Sequence, residues 1–394
     1  MVKKVKQNGC SFEEIPSPII WDILSRLPTK ACLMSKLVCK DWYGIITDPE
    51  FADFRHSHGC YSTVLLRGNF HCKRRQCLLL LDLLHLKIDE TGNLVVNADE
   101  MIRFKIDFKF GTHQYFNLVN DCNGVIFLKS SKSGPYVVCN LLTGRYLMVK
   151  KASRPRYSVE GVGLGYCHVS KQFKVLRALK CHDGVTISCI TEIQTIGTKK
   201  WRTISTEPLG DLFWDGTVFF KNSLHIYSRN EKCILSFHFG YEKFVRIPLP
   251  YEINRYNDRS SLCILDSCLC FSTISNTDHQ CEIWAMKDYG VKDSWVKVAV
   301  VKHTDIPISY NFPSYSLLSY HHPSYNRQWY IPLLQMGSEK VLLASTYNCW
   351  RYRGLSVVDI ESGEYKRISV LGVPTFSLLA LHPTFSKLQK CSKK

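Results

Sequence analysis

The chain has 394 residues, 45% of them hydrophobic and 12% aromatic, which is ample for a large core and leaves one to three domains open. Its formal charge of +17 suggests an acidic partner, yet Lys3, Lys4 and Lys6 supply three of those units and Lys387, Lys390, Lys393 and Lys394 four, so solvated loops with basic tails account for the balance and no nucleic acid is expected. The opening MVKKVKQNGCSFEE lacks the apolar core of a secretory leader, and the longest apolar run, CLLLLDLLHL over 77–86, is about half of a bilayer span, so the expectation is an intracellular protein of nucleus or cytoplasm with no membrane partner.

Residues 15–28, IPSPIIWDILSRLP, predict a short helix. Ser17 can cap its start and Pro18 suits the first helical position, where an N–H has no partner in any case. Ile19, Ile20, Ile23, Leu24 and Leu27 then fall on one stripe, and Pro28 ends the helix. A second helical stretch, Thr29 to about Lys40, carries Leu33, Leu37 and Val38 on a comparable stripe, and Asp48-Pro49 marks a turn. So few helices bury little surface alone. Their apolar stripes must rest on the remainder of the chain or on another protein.

From about residue 56 the pattern alternates, with frequent turn signals. One unit recurs: a strand, a turn containing glycine, then an aromatic that opens the next strand. Its copies are CNLLTGRYLMV (Tyr146), IQTIGTKKWRTI (Trp201), FHFGYEKFVRI (Phe244), MKDYGVKDSWVKV (Trp295) and VDIESGEYKRISV (Tyr365), with KIDETGNLVV at Gly92 as a sixth candidate. The five aromatics step by 55, 43, 51 and 70 residues, near the ~50-residue period of kelch-type propellers. A second signal interleaves. Asn123-Gly124, Asp215-Gly216 and Asp266-Ser267 each lead into an apolar strand, as pairs that favour the positive φ of tight hairpins do, and the next turn glycine follows after 20, 24 and 23 residues. Together these predict repeated four-stranded meanders packed radially, an irregular propeller of six or seven blades; a pair of β-sandwiches is the competing arrangement.

Eighteen cysteines, none spaced C-x-x-C, read as free thiols used as small hydrophobes. His56, His58, Cys60, His71, Cys72 and Cys77 cluster in sequence but fit no zinc spacing, so neither a metal nor another cofactor is expected. No phosphate loop, H-E-x-x-H or G-x-S-x-G is present, and no histidine–carboxylate spacing singles out a catalytic pair. Gly161, Gly163 and Gly165 read as strand glycines that allow close backbone approach. Loops over 150–157, 251–260 and 307–326 are candidate contact regions, the last with Tyr310, Tyr315, Tyr320 and Tyr325, and Trp329 beyond it, as an aromatic patch for a protein target.

The N-terminal segment resembles the F-box, with Ile15-Pro16, Ile23-Leu24, Arg26-Leu27-Pro28, Lys30, Leu33, Val38-Cys39-Lys40, Trp42, Ile45-Ile46, Asp48-Pro49 and Phe51 in order and register. Further on, DCNGVIFL with VCNLLTGRY, GVGLGYCHVSKQFKVLRAL, LSFHFGYEKFVRIPLP and IWAMKDYGVKDSWVKV resemble successive segments of the plant F-box-associated domain. The resemblance implies an α+β multidomain chain: a disordered basic tail over 1–10, an all-α F-box over 11–55, an all-β propeller-like domain over 56–388 and a second basic tail over 389–394. It also implies a non-catalytic substrate receptor of a Skp–cullin–F-box ubiquitin ligase, with cullin and RING subunit reached through a Skp-family adaptor and an unidentified protein as substrate. A ligand- or glycan-binding propeller with a vestigial F-box is the alternative. By the resemblance Pro16, Ile19, Ile23, Leu27, Pro28, Leu33, Val38 and Cys39 face the adaptor, while Trp42 locks the helices together. Pro18 replaces the usual acid, and Cys32 and Ser35 stand where leucine and phenylalanine are common, which implies a weaker adaptor contact.

Overall fold

The computed structural model describes residues 15–48, 50–51, 54–55, 63–69, 76–82, 87–88, 90, 94–97, 101–105, 116–130, 134–151, 154, 156–182, 187–205, 212–228, 231–250, 260–274, 280–301, 329–336, 339–348, 351–371 and 376–381. Three short helices come first: α1 (Ser17–Arg26), α2 (Thr29–Ser35) and α3 (Lys40–Thr47). The strands that follow are antiparallel meanders, as the alternating pattern predicts.

The first strands are β1 (Thr63–Asn69), β2 (Gln76–Asp82), β3 (Lys87–Ile88), β4 (Leu94–Asn97) and β5 (Ile102–Lys105). Blade II is β6 (Phe116–Cys122), β7 (Val125–Ser130), β8 (Tyr136–Asn140) and β9 (Arg145–Val149). Blade III is β10 (Tyr157–Cys167), β11 (Gln172–His182), β12 (Ile187–Thr195) and β13 (Arg202–Ser205). Blade IV is β14 (Leu212–Phe220), β15 (Ser223–Ser228), β16 (Cys233–His238) and β17 (Lys243–Pro248). Blade V is β18 (Ser261–Leu265), β19 (Cys268–Ile274), β20 (Cys281–Met286) and β21 (Trp295–Val301). Blade VI is β22 (Trp329–Met336), β23 (Lys340–Asn348), β24 (Arg351–Asp359) and β25 (Tyr365–Leu371).

The last strand, β26 (Phe376–Leu381), does not open a seventh blade. It pairs with β1, Thr63 opposite Leu381 and Gly68 opposite Phe376, and so becomes the innermost strand of blade I, whose order is β26-β1-β2-β5. The described strands therefore make six blades, and the first and last of those strands clasp the ring shut. Innermost strands neighbour one another all the way round: β6 lies beside β10, β10 beside β14, β14 beside β18, β18 beside β22, β22 beside β26 and β26 beside β6. Radial packing of this kind protects the inner edges and leaves only short outer ones.

The turn chemistry follows the sequence at most places. Asn123 and Gly124 both have positive φ (49° and 72°), as do Asp266 and Ser267 (46° and 56°), and each pair is the two-residue turn between the first and second strands of a blade. The third expected pair behaves differently. Asp215-Gly216 lies inside β14, where a bulge shifts the register between Phe213 and Val218, and the hairpin turn is Lys221-Asn222, with φ of 44° and 62°. A glycine at φ 84° serves a bulge as well as a turn, so the dipeptide alone does not separate the two. The five aromatic-after-turn copies all mark the hairpin between third and fourth strands of blades II to VI. The sixth candidate does not. β3 and β4 form a hairpin of their own, inserted between β2 and β5 of blade I, and β4 runs parallel to β25, adding to the outside of blade VI. Gly92 itself lies outside the described residues.

Each seam between blades holds one apolar cluster, because both faces of an inner blade strand are covered. Phe127 and Val138 meet Val162 and Leu164 between blades II and III. Leu176 and Ile193 meet Leu224 and Phe237 between III and IV. Tyr227 and Ile234 meet Phe271 and Trp284 between IV and V. Cys270 and Ile283 meet Leu343 and Val358 between V and VI, and Leu342 and Val357 meet Val64 and Leu79 between VI and I. The glycines of β10 fit the expectation of close approach: a Cβ on Gly163 would lie 2.3 Å from Leu224 Cδ2, and one on Gly165 1.8 Å from Phe239 Cε2. The twelve cysteines whose side chains are described are all free, and most of them are buried.

Candidate functional site: two surfaces on one frame

The seam between blades I and II differs from the others because the helices take part in it. Leu24, Cys32, Ile46 and Phe51 are fully buried in one cluster with Leu65, Leu78 and Leu80 of blade I, Ile126, Leu128 and Val137 of blade II, and Leu381 of the clasp strand. Trp21 meets Phe51 and Phe54 edge-on, with ring centroids 5.6 Å and 5.7 Å apart. Arg55, 6% exposed, donates to the Leu24 carbonyl at 3.3 Å. These contacts hold the inner side of the helices.

The opposite side is apolar and uncovered. Ile19 is 50% exposed, Ile23 42%, Met34 60%, Leu37 78% and Val38 63%, and Pro16 and Cys39 are exposed as well. Of the eight residues expected at an adaptor, those five (Pro16, Ile19, Ile23, Val38 and Cys39) stand on this open side, while Leu27, Pro28 and Leu33 are half-buried, with Leu27 and Leu33 packed against the seam cluster. Met34, Leu37 and Tyr43 belong to the exposed set too. Sequence reasoning missed Met34 and Tyr43, which flank a break in the helix that periodicity does not show, Met34 in the last turn of α2 and Tyr43 within α3.

That break corrects the single helix expected from Thr29 to about Lys40. α2 ends at Ser35, and Cys39 takes an extended conformation (φ −155°, ψ 171°) as N-cap of α3, its Sγ accepting from the Trp42 N–H at 3.4 Å. The start of α1 also moves. Pro16 rather than Ser17 is the N-cap, its carbonyl accepting from Ile19 N at 2.9 Å, with no side-chain cap. Cys32 and Ser35 face the protein's own interior, where Ser35 Oγ donates to the Ala31 carbonyl at 2.9 Å. Their small size takes nothing from the exposed strip. Trp42 is half-buried at the edge of the seam cluster, and Trp21, not singled out from the sequence, makes the aromatic lock.

Among the expected target-contact residues, Tyr310, Tyr315, Tyr320 and Tyr325 lie outside the described residues, as do His56, His58, Cys60, His71 and Cys72. The 150–157 connection is structural where it is described: Trp201 Nε1 donates to the Lys150 carbonyl at 3.0 Å, and Arg154 pairs with Glu192. That carboxylate also accepts from Arg177 Nε at 2.8 Å, with both side chains almost wholly buried, and the Arg177 guanidinium lies 4.1 Å from the Trp201 ring centre. Between blades IV and V, His225 Nε2 lies 2.7 Å from Tyr289 Oη and 3.3 Å from Ser236 Oγ. Burial drives its pKa down to about 4. Both sets lie largely inside the propeller, where polar groups need partners, with Arg154 reaching from the surface to the buried Glu192.

Residues 58–327 match the model of the F-box associated beta propeller domain, and residues 12–52 match an F-box-like model. Relatives are found in Arabidopsis thaliana. The chain is 26% identical over 320 residues to "F-box protein At3g07870", covering 73% of each chain. It is 27% identical over 325 residues to "F-box protein CPR1", again 73% of each. It is 23% identical over 300 residues to "F-box/kelch-repeat protein At3g23880", covering 73% of this chain and 79% of the other.

Proposed function

The chain belongs to the F-box associated beta propeller domain family, with an F-box ahead of the propeller, and from that membership we propose that it is the non-catalytic substrate receptor of a Skp–cullin–F-box ubiquitin ligase. The F-box binds a Skp-family adaptor, which connects to cullin and the RING subunit, and the propeller binds a protein that is ubiquitinated and degraded. Thioester chemistry belongs to other subunits. The receptor acts by proximity, raising the effective concentration of a target lysine beside the charged ubiquitin carrier.

The observation that supports this reading most directly is the exposed strip of Ile19, Ile23, Met34, Leu37 and Val38 on helices whose other side is sealed into the propeller. Contiguous apolar side chains left in water mark an interaction site. A seat on the blades keeps that site at a fixed distance from the propeller surface.

Co-purification with a Skp-family adaptor tests the proposal, comparing the native chain with Ile23→Asp plus Val38→Asp. Both residues are exposed, so the double variant keeps its melting temperature and loses the adaptor. Equal adaptor recovery from the two proteins refutes the reading of the N-terminal helices.

A further inference from the structure

Resting on the receptor reading above, we propose that the turn face of blades III and IV takes an acidic peptide segment of the target, anchored by an apolar side chain. The turns between first and second strands and between third and fourth strands leave a blade on the same side. Here two of them touch: Gly240, in the turn between β16 and β17, lies against Val169, in the turn between β10 and β11, a Cβ on it falling 3.6 Å from Val169 Cγ2. Val169 is 84% exposed and Tyr241 75%, which makes them a pair of apolar knobs from adjacent blades. The Tyr241 ring is stacked on His238 with centroids 4.5 Å apart, so it is held in place.

Charge around the knobs has one sign. Lys171, Lys199, Lys200 and Lys243 are exposed, and none has a carboxylate partner among the described residues. The acid at the centre, Glu242, is already taken by Lys174 at 2.9 Å and Arg202 at 2.6 Å. Burial pushes its pKa up, but the hydrogen bonds from those two cations outweigh this and hold it below the usual carboxylate range. What is left over is basic. A surface of unpaired lysines around an apolar centre complements an acidic segment with a hydrophobic residue in it. A nucleic-acid strand calls for successive aromatic platforms along its path; among the described residues the exposed tyrosine of this face is Tyr241, with one side covered by His238, next to the aliphatic Val169.

The test uses the full chain in complex with its adaptor as bait for a phage-displayed library of random dodecapeptides. Three further baits are compared: Lys199→Glu, Lys200→Glu and Lys243→Glu combined; Tyr241→Ser; and a charge-matched control, Lys87→Glu, Lys340→Glu and Lys366→Glu combined. Expected are native-bait clones enriched in Asp and Glu around one apolar residue, equal recovery on the control, and about a tenfold drop in recovery on the other two variants. Raising salt from low to high ionic strength weakens capture of these clones. Absence of acidic enrichment overturns the proposal, as does equal recovery on the lysine variant. Tighter capture of a labelled single-stranded oligonucleotide than of the selected peptides also overturns it. Adaptor retention is measured on every bait, so loss of peptide with adaptor still bound refutes this face alone, whereas a native chain that never takes up adaptor refutes the receptor reading.

Discussion

Trp295, the first residue of the outermost strand of blade V, donates its indole N–H to the carbonyl of Pro248, the last residue of the outermost strand of blade IV, at 3.0 Å. Trp201 of blade III does the same to Lys150, just past the end of the outermost strand of blade II. The aromatic that recurs after each turn glycine is therefore, in these two blades, a clip to the preceding blade. Trp295→Phe keeps the ring packing and removes one hydrogen bond, so urea unfolding gives a loss of about 1 kcal/mol. Trp295→Ala adds a cavity in the seam and costs about 3–5 kcal/mol.

The two sides of α1 answer differently to substitution. Leu24, fully buried in the seam between blades I and II, and Ile23, half exposed beside it, differ by one residue in sequence. Leu24→Ala costs about 2–5 kcal/mol in thermal unfolding and lowers adaptor recovery only through the destabilised seat. Ile23→Ala changes stability by less than about 0.5 kcal/mol and lowers adaptor recovery directly. Comparable melting losses for both would remove the distinction between seat and docking strip.

The buried ion pair across blade III is a strong lever. With Arg177 and Glu192 almost entirely out of water, Glu192→Gln leaves a guanidinium without its counter-charge and costs about 3–5 kcal/mol. Replacing both by apolar residues of similar size, Arg177→Met with Glu192→Leu, costs less than the single change, measured as a double-mutant cycle in denaturant.

His225 makes stability depend on pH. Its folded pKa of about 4 lies below the ordinary 6.5 because burial disfavours the imidazolium. The unfolded chain takes up a proton on this residue as pH falls below 6.5 while the folded chain resists until about 4. Stability is therefore complete above pH 6.5 and is lost on acidification through that window, by about 3 kcal/mol. His225→Gln flattens the melting temperature between pH 6.5 and 4; an unchanged slope would show that other groups set it.

Much of this architecture is legible in the residues because the signals are local. Pro28 separates α1 from α2 as its chemistry demands, and Asn123-Gly124 turns where two adjacent positive φ values are needed. The five turn glycines followed by aromatics report one strand pair per blade. Failures occur where a local signal has two uses or where partners are distant. Asp215-Gly216 serves a bulge instead of a turn, and the KIDETGNLVV hairpin copies the repeat but attaches to another blade. Blade number stays open between six and seven until β26 is seen to pair with β1, more than three hundred positions earlier. The lysines of the basic face are scattered through three turns, and nothing in their spacing brings them to the same side. At the N-terminus the apolar stripe is plain, but which of its members turn inward depends on a propeller seam that the stripe itself does not specify.

Leu381, from the clasp strand, lies in the same cluster as Leu24 and Ile46 of the helices. The helices precede the propeller in the chain, yet part of their seat comes from its last described strand. A chain that stops short of β26 has neither a closed ring nor a finished bed for its own N-terminus. Removing β26 is therefore expected to take away part of the packing of Leu24 and Ile46, and with it the fixed position of the exposed strip on the far side of the same helices.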